Sequence, residues 1–351
     1  MKVCLIVGTR PQIIKSQPLI KELKRRNVKF SIIHTGQHYD YKMSRSFFEE
    51  LDIKDPDINL GIKTGTATQQ LAKIISNLEK PLLKLNPDYV VVPGDTRSAL
   101  GASLCANRLG LKLVHIEAGA RSGDFELEEE VNRRIIDSCS NFLFAPTKNC
   151  FKNLKKESVL GSVYLTGDTM YDVFLIYKNK LHIRTNKKND HVLMTIHRKN
   201  NIEGIQTIKK IITFANKISK LGYRVTFPIH PHTKKQLLKL GLSLNKIDEI
   251  EPVKYSKMLE LLASSKLLLT DSGGLQKEAY WLNTPCITLR KSTEWVETVQ
   301  KNANVLIPEL KPNSIKIAEK MLSKTIQKTI TNEFGDGKAA QKMTSILFDN
   351  L

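Results

Sequence analysis

The stretch Lys2–Ser16, KVCLIVGTRPQIIKS, decides the fold. Its apolar run up to Val7 shows no polar alternation, which is typical of a strand covered on both faces of a sheet. Gly8, Thr9 and Arg10 then form a turn signal, and Pro11 suits the first turn of a helix. The stretch therefore predicts a strand, a tight turn and a helix whose N-terminus can bind an anion.

The same alternation of apolar runs and amphipathic segments continues along the chain, and this favours parallel, doubly wound sheets. The predicted strands are Lys2–Val7, Phe30–Thr35, Tyr89–Pro93, Leu113–His115, Phe142–Ala145, Val163–Leu165, His191–Ile196, Arg224–Pro228, Ile247–Ile250, Leu267–Thr270, Cys286–Leu289 and Asn304–Ile307. The predicted helices are Gln12–Arg25, Tyr41–Leu51, Ala67–Leu85, Ser98–Leu109, Glu128–Ser138, Lys148–Glu157, Ile205–Leu221, His232–Leu240, Tyr255–Ala263, Leu275–Leu282, Glu294–Gln300, Lys311–Leu322 and Lys338–Phe348.

The pattern restarts after a polar stretch, residues 177–190, which we interpret as a linker. The predicted fold is α/β, with two Rossmann-like doubly wound domains facing across a cleft. Residues 1–176, joined by the C-terminal helix 338–351, form the first domain, and residues 177–337 form the second. The cleft between two such domains is the expected ligand site.

Composition excludes several classes of protein. The chain has 351 residues and a formal net charge of +20, but its lysines are dispersed and no stacking aromatics accompany them. We therefore expect no nucleic-acid partner. No apolar run approaches the roughly 18 residues of a membrane span, and no signal peptide is evident, so we expect a cytoplasmic protein without a membrane partner. The five cysteines form no C-x-x-C pair, which predicts buried, reduced thiols.

A second turn of the anion-binding type follows the predicted strand Leu267–Thr270. It consists of Asp271, Ser272, Gly273 and Gly274. Adjacent glycines let a backbone approach a phosphate closely, and a serine can cap the helix or bind the anion. Glu278, one helical turn later, is placed to accept hydrogen bonds from ribose hydroxyls. One anion-accepting turn in each domain suits a nucleoside diphosphate.

Titratable side chains stand at the carboxyl ends of four predicted strands, where open α/β sheets bind their ligands. Asp95 and Glu117 follow two neighbouring strands of the first domain, and His197 and His230 follow two strands of the second. Two carboxylates at one sheet edge suggest general acid–base chemistry. A helix cap for Asp95 and a structural ion pair for Glu117 are the alternatives.

The stretch GDFELEEEVNRR, residues 123–134, is acidic in a basic chain. Most of it is explained by acidic residues in the first turn of a helix, where the helix dipole favours them. A pair of Glu130 with Arg134 is expected at i,i+4 spacing, and Glu129 could pair with Arg133 in the same way. Either Glu129 pairs in this way, or it turns toward the cleft.

The ordered motifs resemble those of the non-hydrolysing UDP-N-acetylglucosamine 2-epimerases nearly end to end. They are GTRPQIIK, HTGQHYDY, GDT, HIEAG, EEVNRR, FAPT, the GD at 167–168, IHPHT, TDSGGLQKEA, TEWVETV and GDGKA. No G-x-G-x-x-G and no Walker A sequence occurs, which counts against nicotinamide cofactors and ATP. The resemblance implies the glycosyltransferase-B arrangement, a homodimer, a UDP-sugar substrate, and neither metal nor redox cofactor.

The resemblance also implies roles for individual residues. The catalytic positions that it matches are Asp95, Glu117, Glu129 and His197. The substrate- and UDP-binding positions are Arg10, Lys15, His230, Asp271, Ser272, Gly273, Gly274, Glu278 and Glu294. The implied reaction is elimination of UDP to 2-acetamidoglucal followed by re-addition, which converts UDP-N-acetylglucosamine to UDP-N-acetylmannosamine.

The sequence departs from the family pattern in places. Asn200 stands where many members carry Glu, Glu128 stands where a proline is usual, and QHYDYKM, residues 37–43, lacks the residues of an activating second substrate site. Allosteric activation is therefore not carried over. Two alternatives stay open: the same chemistry on a related sugar such as UDP-2,3-diacetamido-2,3-dideoxyglucuronate, or a glycosyltransferase of the same fold.

Overall fold

The computed structural model describes residues 1–36, 48–183, 188–324 and 332–351. The predicted helix Tyr41–Leu51 falls mostly outside these residues, as does QHYDYKM. Within them the chain divides into two compact units, Met1–Ile176 with Thr331–Leu351, and Tyr177–Ile330.

The first unit contains a seven-stranded parallel sheet in the order β3-β2-β1-β4-β5-β6-β7. Its strands are β1 (Lys2–Val7), β2 (Lys29–His34), β3 (Ile58–Asn59), β4 (Tyr89–Pro93), β5 (Leu113–Ile116), β6 (Phe142–Ala145) and β7 (Ser162–Leu165). Its helices are α1 (Arg10–Arg25), α2 (Ala67–Leu85), α3 (Arg97–Arg108), α4 (Glu128–Cys139), α5 (Lys148–Lys156) and α6 (Thr169–Lys180), of which α6 runs across the boundary between the units.

The second unit contains a six-stranded parallel sheet in the order β10-β9-β8-β11-β12-β13. Its strands are β8 (His191–Thr195), β9 (Arg224–Pro228), β10 (Ile247–Ile250), β11 (Leu267–Thr270), β12 (Cys286–Thr288) and β13 (Asn304–Leu306). Its helices are α7 (Lys199–Ile202), α8 (Ile205–Lys220), α9 (Pro231–Lys239), α10 (Tyr255–Ser264), α11 (Gly273–Trp281), α12 (Val296–Gln300) and α13 (Ser314–Leu322).

Both sheets are of the doubly wound type that the sequence predicts, and the expected α/β fold class is confirmed. The central strands β4 and β11 are wholly buried, in agreement with their apolar runs. The two-residue strand β3 was missed, because so short a segment carries no periodicity.

Helix caps mark where several helices begin. Thr66 and Gln69 form a reciprocal capping box at the start of α2. Thr96 and Thr147 accept hydrogen bonds from backbone N–H groups in the first turns of α3 and α5. These threonines follow strands or loops directly, so each fixes the point at which the chain turns from the sheet edge into a helix.

The last helix, α14 (Ala339–Asp349), lies on the first unit and packs against α1. The N–H groups of Ala339 and Ala340 donate to the Asp172 carboxylate at 3.1 and 2.9 Å. Burial raises the pKa of Asp172 to about 6, although these two hydrogen bonds oppose the shift. At the other end of the helix, the Tyr89 hydroxyl donates to the Leu347 carbonyl at 3.0 Å.

Two details of the expected domain organisation are wrong. The segment 332–337, assigned to the second domain, belongs to the first unit, where the Asp168 N–H donates to the Phe334 carbonyl at 2.9 Å. The expected linker 177–190 begins inside α6, which continues to Lys180. The polar composition of this stretch reflects the end of a helix as well as the connection that follows it.

No helix in the described ranges is long and apolar enough to cross a membrane. The five thiols are free, and four of them are buried as expected. The fifth, Cys139 at the end of α4, is half-buried.

A thiol reagent at neutral pH is expected to label Cys139 first and the other cysteines only after unfolding. Burial raises the pKa of Cys4 and Cys286 to about 12 and that of Cys105 to about 11, so the reactive thiolate is scarce at all three. Counting labelled thiols by mass spectrometry, with and without denaturant, checks this. Rapid native labelling of Cys4 or Cys286 would contradict the burial described here.

Candidate active site

The turn after β1 is packed tightly against the turn that follows β4. The Gly8 N–H donates to the Gln12 side-chain oxygen at 2.8 Å, and the Gln12 amide donates to the Pro93 carbonyl at 2.9 Å. A Cβ at Gly8 would lie 2.0 Å from the Ser98 hydroxyl, so only glycine fits. Arg10 begins α1 directly after this turn, and burial lowers the pKa of its guanidinium.

Lys15 and Glu117 form a largely buried ion pair at the carboxyl edge of the first sheet. The Lys15 ammonium lies 2.6 Å from a Glu117 carboxylate oxygen, and the two side chains are 13% and 5% exposed. Glu117 follows β5 with a φ of 71°, a left-handed conformation that is uncommon for a residue with a side chain. This is the structural ion pair weighed for Glu117, and it lies at the same edge of the sheet as Asp95.

Asp95 is held by α4. Its carboxylate pairs with the Arg133 guanidinium, and its backbone carbonyl accepts from the Asn132 amide at 2.9 Å. The Asp95 side chain is 17% exposed, so the carboxylate keeps access to solvent. The alternative role as a helix cap does not apply, because the N-cap of α3 is Thr96.

The carboxylates at the acidic start of α4 differ in their burial and in their hydrogen-bond partners. Glu130 is fully buried and receives Arg134 at 3.1 Å and the Ser122 N–H at 2.8 Å. Burial raises the pKa of Glu130, but Ser122 and the two arginines lower it more, so the net shift is downward. The predicted pair of Glu130 with Arg134 is confirmed.

Glu129 does not pair with Arg133, so the first of the two alternatives does not apply. Arg133 instead contacts Asp95 and Glu130, the latter at 3.4 Å. Across the described part of the chain, no hydrogen bond or ion pair involves the half-buried Glu129 side chain. Sequence spacing missed this arrangement, because i,i+3 and i,i+4 partners are equally available on a helix and a distant carboxylate competes for Arg133.

In the second unit, Asp271 organises the segment that carries His197. Its carboxylate is fully buried and accepts from the backbone N–H groups of His197 and Arg198, at 3.1 and 2.9 Å. The Asn201 amide donates to the same carboxylate at 3.0 Å, and the His197 Nδ1 lies 3.3 Å from it. Sequence reasoning placed Asp271 at the ligand and missed Asn201, whereas the structure uses both to position His197.

The His197 ring itself is half exposed. Asn200, which departs from the family pattern, is exposed beside it. His230 is the N-cap residue of α9, where its Nδ1 accepts from the His232 N–H at 3.2 Å. His197 and His230 therefore both stand at strand exits of the second sheet, as the sequence predicts.

The second predicted anion turn lies at the start of α11. Ser272 is the N-cap residue, and its side chain makes no capping hydrogen bond. A Cβ at Gly273 would lie 2.5 Å from a Glu294 carboxylate oxygen, while the space beside Gly274 is open. The first glycine is thus required by close packing, and the second leaves room for a ligand to approach the backbone.

Glu294 and Glu278 are both buried near this turn. Glu294 receives the Arg290 guanidinium at 2.8 Å, in a pair whose side chains are 4% and 5% exposed. Glu278 lies on α11 and is 3% exposed. The neighbouring Lys277 ammonium lies 3.9 Å from the centre of the Trp295 ring, a cation–π contact that residue spacing does not predict.

The candidate residues are divided between the two units. Arg10, Lys15, Asp95, Glu117 and Glu129 belong to the first unit, and the others belong to the second. No cluster of three or more potential metal ligands occurs among the residues that the structure describes.

Comparison with known proteins places this geometry in a family. The model of the family described as UDP-N-acetylglucosamine 2-epimerase matches residues 21–348. The chain belongs to this family. It is accordingly an isomerase, and the resemblance found in the sequence is confirmed.

Individual relatives cover essentially the whole chain. A UDP-N-acetylglucosamine 2-epimerase of Methanococcus maripaludis is 41% identical over 99% of this chain and 98% of its own length. The UDP-GlcNAc 2-epimerase of Methanocaldococcus jannaschii, whose crystal structure contains UDP-GlcNAc and UDP, is 40% identical, with a TM-score of 0.93 over 99% of this family member and 100% of that chain. A UDP-2,3-diacetamido-2,3-dideoxy-D-glucuronate 2-epimerase of Pseudomonas aeruginosa is 37% identical over 99% of both chains.

Proposed function

We propose that the protein interconverts UDP-N-acetylglucosamine and UDP-N-acetylmannosamine by inverting the sugar at C2. The observation that carries this proposal is the group of carboxylates and cations at the carboxyl edge of the first sheet, where Lys15 meets Glu117 and Arg133 meets Asp95. Relatives at 41% and 40% identity that bear this activity in their names support it.

Inversion at C2 of this sugar requires more than a base that removes the C2 proton. No carbonyl stands beside C2 to acidify its hydrogen, so direct deprotonation is difficult. In the proposed route the C1–O bond breaks, UDP leaves with the bonding electrons, and a base removes the C2 proton to give 2-acetamidoglucal. UDP then adds back to C1 while a proton returns to the opposite face of C2.

Proton transfer at two faces of C2 requires more than one acid–base group. We assign it to Asp95, Glu117 and Glu129, with His197 as the further catalytic group. Asp95 and Glu117 each pair with a cation in the structure, whereas Glu129 makes no ion pair with the side chains that the structure describes and can take up a proton without breaking one. Such differences of environment are how one site provides both acid and base.

The leaving diphosphate requires positive charge and N–H donors. We assign UDP binding to Ser272, Gly273, Gly274, Glu278 and His230, with Arg10 and Lys15 supplying positive charge and Glu294 contacting the sugar. The helix N-terminus at Gly273 and the open space at Gly274 suit a phosphate. Asp271 acts on the ligand only through His197, because its carboxylate is fully buried.

A second substrate is favoured by one specific observation, the 37% identity with the Pseudomonas aeruginosa epimerase. UDP-2,3-diacetamido-2,3-dideoxyglucuronate would undergo the same C2 chemistry and differs by a C3 acetamido group and a C6 carboxylate. Comparing kcat/KM for both sugars decides between them. The homodimer and the cytoplasmic location stay predictions. Light scattering can test whether the protein is a homodimer.

The proposal is tested by incubating the protein with UDP-N-acetylglucosamine in D2O and following the anomeric and C2 proton signals by NMR. We expect deuterium at C2 of an intact UDP-sugar, together with signals of the C2 epimer. A glycosyltransferase or a hydrolase would release UDP without C2 exchange. Absence of exchange with either UDP-sugar would overturn the proposal.

Gly94→Ala is expected to lower turnover at least tenfold. Gly94 has a φ of 68°, and a Cβ there would lie 2.9 Å from the Lys15 ammonium, so the ammonium must shift, which changes its 2.6 Å contact with Glu117. Gly110→Ala is the matched control, because Gly110 also has a φ of 68° and open space around it. Both variants carry the cost of a side chain in the left-handed conformation, about 1–2 kcal/mol. Equal turnover in the two would show that the reaction does not depend on the position of the Lys15 ammonium.

A further inference from the structure

His115 is a fully buried histidine on β5, the strand next to the central strand β4 of the first sheet. Its Nε2 lies 2.9 Å from the Gly94 carbonyl oxygen, and its Nδ1 lies 2.6 Å from an Asp137 carboxylate oxygen. Neither His115 nor Asp137 has a part in the chemistry assigned above. Both contacts are nevertheless made within two residues of proposed catalytic groups, because Gly94 precedes Asp95 and Glu117 follows His115 by two positions.

The hydrogen-bond partners of the His115 ring determine which of its nitrogens carry a proton. A carbonyl oxygen can only accept, so Nε2 must carry a hydrogen and donate it to Gly94. Asp137 also accepts from the Gly119 N–H at 3.1 Å and from the Arg121 guanidinium at 2.6 Å. Burial raises the pKa of Asp137, but His115 and Arg121 lower it more, and the net shift is downward. The Asp137 carboxylate already receives the Arg121 guanidinium and the Gly119 N–H, as an ionised carboxylate does, and such a group only accepts, so Nδ1 must also donate.

We propose that His115 is a buried imidazolium that, together with Asp137, positions the catalytic carboxylates. The pair joins three elements: β4, which leads into Asp95, β5, which leads into Glu117, and α4, which carries both Asp137 and Glu129. His115 is therefore a positioning residue, which acts on the reaction through the places where Asp95, Glu117 and Glu129 are held. This inference rests on the function proposed above for those three residues.

Replacing His115 by glutamine removes the positive charge and one of the two hydrogen bonds. Glutamine can still donate one hydrogen bond, to Gly94 or to Asp137, but it is neutral and cannot donate to both as the imidazolium does. We expect His115→Gln to lower kcat by roughly tenfold to a hundredfold, the range found when outer-sphere partners of functional groups are removed. KM and the Kd for UDP should stay close to those of the unaltered protein, because the proposed UDP-binding residues lie mostly in the second unit.

A matched control separates positioning from general destabilisation. His191, on β8 in the second unit, is half-buried and its Nε2 lies 2.9 Å from the Ser265 hydroxyl. His191→Gln removes a comparable side chain from the start of a strand but touches none of the proposed catalytic groups. Thermal unfolding of both variants is to be measured with their kinetics. An equal loss of kcat in both would show that His115 contributes only to folding.

The protonation state is measured directly on the whole, unaltered protein labelled with 15N-histidine. We expect both His115 ring nitrogens to carry protons and to show the nitrogen shifts of an imidazolium. The signal is assigned by its absence from His115→Gln or, if that variant does not fold, by its displacement in Asp137→Asn. A His115 ring nitrogen without a proton would overturn the inference, and so would a kcat of His115→Gln within twofold of the parent. Failure of the unaltered protein to epimerise any UDP-sugar would instead refute the proposed function, whatever the NMR result.

Discussion

Replacing Asp95 by Asn, or Glu117 by Gln, is expected to abolish measurable turnover while UDP still binds. Each substitution keeps the shape of the side chain but removes the negative charge and the capacity to take a proton. Loss of a positioned acid–base group costs on the order of 10²- to 10⁴-fold in rate. Because Lys15 and Arg133 each lose an anionic partner, we expect the rate loss at both positions to be in the upper part of this range.

The measurement is a quenched assay of UDP-sugar conversion combined with calorimetric titration of UDP. Glu129→Gln belongs to the same series, and Glu128→Gln is its matched control. Glu128 is the neighbouring residue, is half exposed, and pairs with Arg97 at 2.8 Å outside the proposed chemistry. Retained turnover in Asp95→Asn and Glu117→Gln would remove these residues from the mechanism. Equal losses in the two Glu variants would show that only the charge of the stretch matters.

Asp271→Ala is expected to destabilise the second unit by about 3 kcal/mol and to lower turnover at least tenfold. The substitution leaves the N–H groups of His197 and Arg198 and the Asn201 amide without their buried acceptor. Leaving buried donors unsatisfied is costly, and removal of a buried charged partner costs more than an exposed one. Turnover falls because the His197 ring loses the carboxylate that orients it.

Asp248→Ala provides the comparison for this prediction. Asp248 lies in the same unit and pairs with Arg224 at 2.6 Å, but the two side chains are 47% and 70% exposed. An exposed pair of this kind contributes at most about 1 kcal/mol. Unfolding followed by circular dichroism, with kinetics on the same samples, measures both variants. If Asp271→Ala unfolds no earlier than Asp248→Ala, the hydrogen-bond network around Asp271 does not have the stabilising role described here.

The sheets could be predicted from the sequence because a parallel strand that is buried on both faces has a short, continuous apolar sequence. The bounds of Lys2–Val7, Tyr89–Pro93 and Leu267–Thr270 agree with the structure residue for residue. Segments without such a pattern were missed or misplaced, notably β3 and the helix that continues into the expected linker. Local composition indicates which segments are buried. The structure of these other segments depends instead on contacts with residues distant in sequence.

The sequence predicts where the candidate site lies better than it predicts which side chains contact each other there. The carboxyl ends of parallel strands meet at one edge, so Asp95 and Glu117 could be expected together. Which cation each would meet could not be foreseen. Arg133 contacts both a near and a distant carboxylate, and the Asp271 carboxylate accepts from the N–H groups of His197 and Arg198, which residue spacing did not predict. Such choices depend on geometry at the scale of a single ångström, which residue spacing does not encode.

The docking of α14 onto the first unit bears on how the protein is made. A growing chain usually folds its N-terminal domain first. Here the strands of the first sheet leave the ribosome early, but the helix that packs on α1 and receives the Tyr89 hydroxyl emerges only after the whole second unit. The second unit is continuous in sequence and can close while synthesis is still under way. The nascent first unit must therefore wait, with the flank of α1 uncovered, until the second unit has been synthesised.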